Sequence, residues 1–202
     1  MNVSLENSIR KAYPSGIVYE LDEAALENEE RDARIHSVLD SCAIECRLNW
    51  SFDVFKKPAY TIWLTQEEHP AFYDWVWRMD SPEKIAWIKQ NSEPYPVLWL
   101  RISRVADYYY HFYNHWTVRG DTGYLNADCA RRPNDTWSAY QSILERQLHI
   151  AGFEYLGEDV CGARTPFVLE HDYVPEDDPR LDDIDFEPPL VPTTVHECLF
   201  SH

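Results

Sequence analysis

The side chains able to do chemistry in this 202-residue chain are scattered histidines and cysteines and a dense supply of carboxylates, so spacing decides what they could do. His111 and His115 lie four apart within the stretch 108–118, the most aromatic part of the sequence. On a helix they would share a face and could hold one metal. On a strand they stand about 13 Å apart at ~3.3 Å per residue, too far for a single ion. The aromatic density reads as a strand, and the two histidines read as hydrogen-bonding members of an aromatic face. Glu170, His171 and Asp172 supply a base beside a carboxylate that could orient it, yet no Ser or Cys nearby has the strand-turn-helix context of an activated nucleophile. Cys129 and Cys161 neighbour Asp or Gly in loop-like sequence and are the contenders for a reactive thiol, against the commoner role of a small buried residue. Cys42 and Cys46, at i,i+4 in a helical pattern, read as buried apolar residues. Asp182, Asp183, Asp185 and Glu187 match a calcium loop in charge alone, because its glycine and ligand spacing are missing. Nothing matches GxGxxG, GxxxxGKS/T or HExxH. The sequence therefore predicts a non-enzyme with no catalytic residue, no metal site and no cofactor.

The elements that must position these groups follow from periodicity and punctuation. Residues 4–12 read as a short helix stopped by Pro14-Ser15-Gly16, with a brief strand at 17–21. From Glu23 to about Leu48 apolar residues recur at helical spacing, with Asp and Glu crowding the first turns. Lys57-Pro58 breaks that region, and a helix is expected from Thr65 to Trp77. Another starts at Ser81-Pro82, with Ile85, Trp87 and Ile88 inward. After Pro94-Tyr95-Pro96 the pattern changes. Residues 97–102 and 107–118 read as a hairpin in which Tyr108, Tyr110, Phe112, Asn114 and Trp116 share one face and Tyr109, His111, Tyr113 and His115 the other. Asn134 or Asp135 caps a helix to about Ala151, closed by Gly152. Residues 153–156, 166–170 and 195–200 are expected strands. The expectation is a single α+β domain over 1–202, its mainly helical N-terminal part (about 1–92) packed on one face of an antiparallel sheet formed largely by 94–202.

Composition limits the partners. The chain holds 35 Asp plus Glu against 18 Lys plus Arg, a net charge of −17, and such an anion is repelled by nucleic acid and by anionic membranes. Hydrophobic residues at 45% and aromatics at 14% exclude general disorder. Five cysteines without a CxxC pair fit neither a disulfide framework nor a zinc ribbon, and they point to a reducing compartment. No secretory apolar core follows Met1 and no apolar run reaches membrane-spanning length, so a cytoplasmic location is expected.

The charge is local. Residues 20–45 hold 9 acids and 2 Arg, residues 154–202 hold 13 acids and 2 Arg, and the remainder is close to neutral. The stretch from Asp172 to Pro192 packs eight acids, one Arg and five prolines into 21 residues. Its prolines forbid a helix. Tyr173, Leu181, Ile184, Phe186 and Leu190 are interleaved among the acids, so the segment can dock as well as repel. A tethered acidic surface of this kind suits capture of a basic protein whose groove is built for phosphates.

The order of features from residue 94 onward resembles immunity proteins of bacterial polymorphic-toxin or type VI secretion effector systems. The pieces are the stretch 96–104 (PVLWLRISR), the aromatic strand 108–114, Trp137-x-x-Tyr140, Gly152-Phe153, Pro166-Phe167-Val168, the acidic DDPRLDDIDFEPP stretch and Glu197-Cys198-Leu199-Phe200. The resemblance implies a cytosolic protein that binds a cognate toxin domain, and the acidity suggests a nuclease with a basic cleft. The expected contact is the acidic loop, with Glu176, Asp177, Asp178, Asp182, Asp183, Asp185 and Glu187 supplying charge and Leu181 and Phe186 the apolar anchors. Glu27, Glu29, Glu30 and Asp32 form the second acidic surface. Two other classes stay open: a small hydrolase-like enzyme using the Tyr/His strand, which requires a pocket around His111 or His115, and an adaptor for a partner that is not a toxin.

Overall fold

The strands within residues 95–118 lie at the centre of the main sheet, with alternating side chains along residues 98–102 and 108–111. The computed structural model describes residues 2–46, 48–53, 58–66, 82, 86, 90, 95–118, 125–130, 135–175, 178–182 and 186–200. Strands β1 (Leu48–Asp53), β2 (Ala59–Gln66), β3 (Tyr95–Ser103), β4 (Tyr108–Val118) and β5 (Leu125–Ala130) pair in that order as an antiparallel meander. The short β6 (Glu154–Tyr155) joins β4 in parallel at Tyr108 and Tyr109. A separate two-stranded antiparallel sheet pairs β7 (Arg164–His171) with β8 (Leu190–Thr194).

Along β3, Leu98, Leu100 and Ile102 are fully buried on one face, and their cross-strand partners Ile62, Tyr60 and Tyr109 are buried beside them. Two helices close that face. Helix α2 (Glu29–Cys46) brings Ile35, Val38, Leu39 and Cys42, and α3 (Asp135–Ile150) brings Leu144 and Leu148, the stripe expected of a helix lying on a sheet. Each fully buried Leu or Ile contributes about 1.5–3 kcal/mol relative to exposure. Phe153, just past the end of α3, completes the cluster.

The opposite face meets a second core. Helix α1 (Val3–Ala12) starts from Asn2, whose side-chain oxygen accepts the Leu5 N–H at 2.8 Å, and buries Leu5, Ile9 and Ala12 at i, i+4 and i+7. They pack with Val168 of β7 and with Val195, Cys198, Leu199 and Phe200 of the C-terminal helix. Tyr13 donates its hydroxyl to the Cys198 carbonyl at 2.8 Å, and Arg101 of β3 donates to the Phe200 carbonyl at 3.3 Å.

The α+β class and the β3–β4 hairpin stand as expected, as does Gly152 at the end of α3, where φ is +85°. Four local expectations are corrected. Residues 48–53 and 59–66 are strands, so Thr65 and Gln66 end β2 and do not open a helix. Leu48, Trp50 and Phe52 alternate with Asn49, Ser51 and Asp53, which is strand periodicity. Residues 195–200 form a helix, now labelled α5, after a short α4 (Glu158–Cys161). The Thr194 hydroxyl accepts the Glu197 N–H at 3.1 Å, and the buried stripe Val195, Cys198, Leu199 has a helical period. The region from 23 splits into a 3-10 turn, Glu23–Leu26, and α2, because Asn28 caps the longer helix by accepting the Arg31 N–H at 2.9 Å. The sheet is contacted on both faces and not one, since α5 lies against β2 and β3. Of the expected helix at 65–77, residues 67–77 lie outside the described residues, as do Ser81, Ile85, Trp87 and Ile88, although Pro82, Ala86 and Gln90 are helical.

A polar strap holds α2 against the loop before β4 and the end of α3. Arg31 and Arg34 both donate to Asp107 Oδ1, at 3.0 and 2.9 Å. Arg31 also donates to the Arg104 carbonyl. Arg34 reaches the Ala151 carbonyl at 2.7 Å while its guanidinium lies 4.9 Å over the Phe153 ring.

Candidate functional site

The acidic segment is a loop closed at its root. It joins β7 to β8, and the last rung of their ladder pairs His171 with Leu190. One residue further, Asp172 N–H donates to the Pro189 carbonyl at 2.8 Å, and His171 Nδ1 donates to the Pro188 carbonyl at 3.0 Å. Arg164, at the far end of β7, ties the strands together by donating to the Pro192 carbonyl at 2.7 Å. Proline makes this geometry cheap: Pro188, Pro189 and Pro192 have no N–H to satisfy, and their carbonyls remain as acceptors for residues on β7.

Inside the loop a second fixture forms around Asp178. A 3-10 turn, Pro179–Asp182, follows it, and its carboxylate accepts the Arg180 N–H at 2.9 Å together with Arg180 Nε at 3.0 Å and Nη2 at 2.7 Å. These bonds, the side-chain ones first, hold the Asp178 carboxyl down to about 2. The Arg180 guanidinium also lies 4.9 Å over the Phe186 ring. Asp178, Arg180 and Phe186 are therefore engaged with one another, and they stiffen the loop more than they offer themselves outward. Leu181, at 46% exposure, and the exposed Glu187 face solvent. Asp182 closes the 3-10 turn, while Glu176, Asp177, Asp183 and Asp185 lie outside the described residues.

Of the second acidic surface, Glu27, Glu29 and Glu30 are exposed around the start of α2, where the helix dipole favours them. Asp32 corrects the expectation. It is half-buried and accepts a hydrogen bond from Tyr60, whose phenol is pushed up to about 12 by burial first and by Asp32 second. Asp32 belongs to the inner side of α2 because it precedes Ile35 and Leu39 of the buried stripe by one and two helical turns.

The groups weighed for catalysis are placed as follows. His111 lies on β4, a strand, with Nε2 3.1 Å from Glu145 Oε1 of α3, and Gln141 donates to the same oxygen at 2.6 Å. Its side chain is 9% exposed, between the rings of Tyr109 and Tyr155. A cavity of about 540 Å³ between α2 and α3 is lined by Arg34, Ser37, Val38 and Ile150, and one of about 350 Å³ by Asn2, Arg31, Asp107 and Glu154. His111 lines neither. His171 points Nδ1 at a backbone carbonyl, and Asp172 accepts the Tyr173 N–H at 3.0 Å, so the two do not form a base and its orienter. Cys161 and Cys198 are buried thiols pushed up to about 11 and about 12 by desolvation, which removes the thiolate a nucleophile requires. Cys42 is buried too. Cys129 lies on β5. Among the described residues no three His, Cys, Asp or Glu side chains gather as a metal site, and no helix is long and apolar enough to cross a membrane.

Sequence reasoning did not single out Tyr19, which is 63% exposed and stacks on His171 with ring centroids 6.5 Å apart. The only signal for that contact is the brief strand at 17–21, which appears as a single parallel bridge between Ile17 and Leu169. No protein-family model, curated protein or solved structure matches this chain.

Proposed function

We propose that this chain is an immunity protein: it binds a cognate secreted toxin in the cytoplasm of the producing cell and occludes the toxin's basic, nuclease-type cleft with its acidic loop. The observation that carries the reading is the construction of the loop. Eight acids lie between Asp172 and Pro192, in a segment anchored at its root by β7 and β8 and stiffened by Asp178, Arg180 and Phe186. A charge run that served solubility alone would need neither anchor. A segment closed at its root has less conformational entropy to lose on binding, and the shared field of its acids would accelerate encounter with a cationic cleft.

The reading predicts a toxin gene adjacent to the gene for this chain, and co-expression with the C-terminal domain of that toxin tests it. The two are expected to co-purify, and the chain is expected to restore growth and abolish the toxin's activity. Replacing Asp182, Asp183 and Asp185 by Lys should weaken the complex by tenfold or more, mainly through association rate and in a salt-dependent way. An affinity held within about threefold would refute the loop's role.

A further inference from the structure

We infer that the exposed face at the root of the acidic loop, formed by Tyr19, His171, Tyr173 and Leu190, is the apolar centre of the interface with a basic partner protein. This rests on the immunity reading and adds apolar contacts at the root of the loop to the exposed Leu181 within it, Phe186 being turned onto Arg180.

Three of these side chains are large and open to solvent: Tyr19 at 63%, Tyr173 at 82% and Leu190 at 45%. They converge although they come from three separate stretches of chain. Leu190 is the cross-strand partner of His171, so the two side chains stand on one face of the β7–β8 hairpin. Tyr19 lays its ring against that same His171. Tyr173 lies two residues beyond His171, just past the end of β7, where the Asp172 N–H donates to the Pro189 carbonyl. The result is a ledge of two tyrosines, a leucine and an imidazole.

Its rim is acidic. Glu20 follows Tyr19, Asp172 separates His171 from Tyr173, and Glu187 precedes the Pro188 whose carbonyl holds His171, and all three acids are exposed. Along the sequence, six further acids of the loop lie between Tyr173 and Phe186. An apolar centre rich in tyrosine, ringed by one sign of charge, has the composition of a binding hot spot and its surround. Charge complementarity selects the occupant: a protein surface that offers an apolar pocket edged by Lys and Arg. Nucleic acid and anionic lipid are excluded by the same rim.

The test uses as the probe the C-terminal domain of the toxin that the immunity reading predicts beside this chain, and compares two variants by surface plasmon resonance. One is Tyr19→Ser/Tyr173→Ser/Leu190→Ser, and the other Asp182→Lys/Asp183→Lys/Asp185→Lys. All three ledge side chains are exposed, so the first variant should keep the parent melting temperature; Tyr173→Ser alone, at the most exposed position, serves as the second variant if it does not. The ledge variant is expected to lose roughly tenfold or more in affinity, as faster dissociation that persists at high salt, whereas charge reversal slows association and its effect fades with salt. A ledge variant that binds within about twofold of the parent while charge reversal weakens binding would overturn the ledge and leave the immunity reading standing. A parent chain that does not bind the toxin domain would overturn both.

Discussion

Replacing Gly152 by Ala should destabilise the protein by about 2 kcal/mol, from two sources of comparable size that a double-mutant cycle can separate. Gly152 sits at φ +85°, where a side chain costs about 1–2 kcal/mol, partly offset by about 0.4–1 kcal/mol because Ala restricts the unfolded chain. The second source is Arg34. A Cβ on residue 152 would stand 3.2 Å from Arg34 Nη1, the atom that donates to the Ala151 carbonyl at 2.7 Å. Moving the guanidinium loosens that bond and its companion to Asp107 at 2.9 Å. A hydrogen bond from a charged donor is worth about 1.5–3 kcal/mol, and the 31% exposure of the Arg34 side chain reduces this to about 1 kcal/mol. For a chain of this size about 2 kcal/mol lowers the melting temperature by roughly 4–8 °C. Urea and thermal unfolding of Gly152→Ala, Arg34→Ala and the double variant would show it. In the Arg34→Ala background the glycine substitution should cost about 1 kcal/mol less than in the parent. Equal costs in both backgrounds would refute the steric coupling, and a stabilised Gly152→Ala would refute the backbone argument as well.

Two titrations follow from the ionisable groups. The Asp178 carboxyl, followed by carbon NMR, should titrate near about 2 and return toward the ordinary aspartate value of 3.8 in Arg180→Ala; because the folded value is depressed, the grip on Arg180 is complete above 3.8 and lost as pH falls through about 2, and a native midpoint at the ordinary value would contradict the contact. At the other end of the scale Cys161, Cys198, Tyr60 and Tyr109 are raised, chiefly by burial, to about 11, 12, 12 and 12, so the unfolded chain ionises first: stability should be level below pH 9 and fall as pH climbs toward 11 and 12, and a urea midpoint unchanged between pH 8 and 11 would argue against their burial.

What the sequence made legible was whatever had a local cause. Gly152 ends α3 and Gly16, at φ +77°, turns the chain after α1 because each stands where φ is positive. The β3–β4 hairpin was readable from a nearly continuous apolar run followed, after a short turn, by a dense aromatic run, and so were the two faces of β4, with Tyr109 buried under the helices and Tyr110 set against His196 and Phe200 of α5. The misreadings have causes too. Residues 195–200 look like a strand by composition, but a single hydroxyl cap at Thr194 and a core on one side turned the tie toward helix. Asp32 counted as surface charge because the sequence does not say which side of α2 meets Tyr60. For the candidate site, the acidic loop and its tether were legible from prolines followed by strand-like residues. The contact of Tyr19 with His171 was not, because it joins residues from opposite ends of the chain and no periodic pattern records it.

That contact changes what the net charge means. The two acidic stretches, 20–45 and 154–202, are remote in sequence, yet the Ile17–Leu169 bridge and the Tyr19–His171 stack set the start of the first beside the root of the acidic loop in the second. Val18 N–H donates to the Leu169 carbonyl at 3.0 Å and Leu169 N–H to the Gly16 carbonyl at 2.8 Å, so the approach is fixed by backbone. Two exposed carboxylates 10 Å apart repel by about 0.4 kcal/mol in water before screening, and gathering several at one place multiplies the cost. Where acids meet bases within the described residues, as at Asp107 with Arg31 and Arg34 or Asp178 with Arg180, the charge is already balanced. Glu20 and Asp172 are exposed sequence neighbours of the exposed Tyr19 and Tyr173, and the exposed Glu187 precedes the Pro188 that holds His171. A cationic protein surface that covered the proposed ledge would relieve that repulsion, so the electrostatic and hydrophobic gains of the proposed binding would arise at one place.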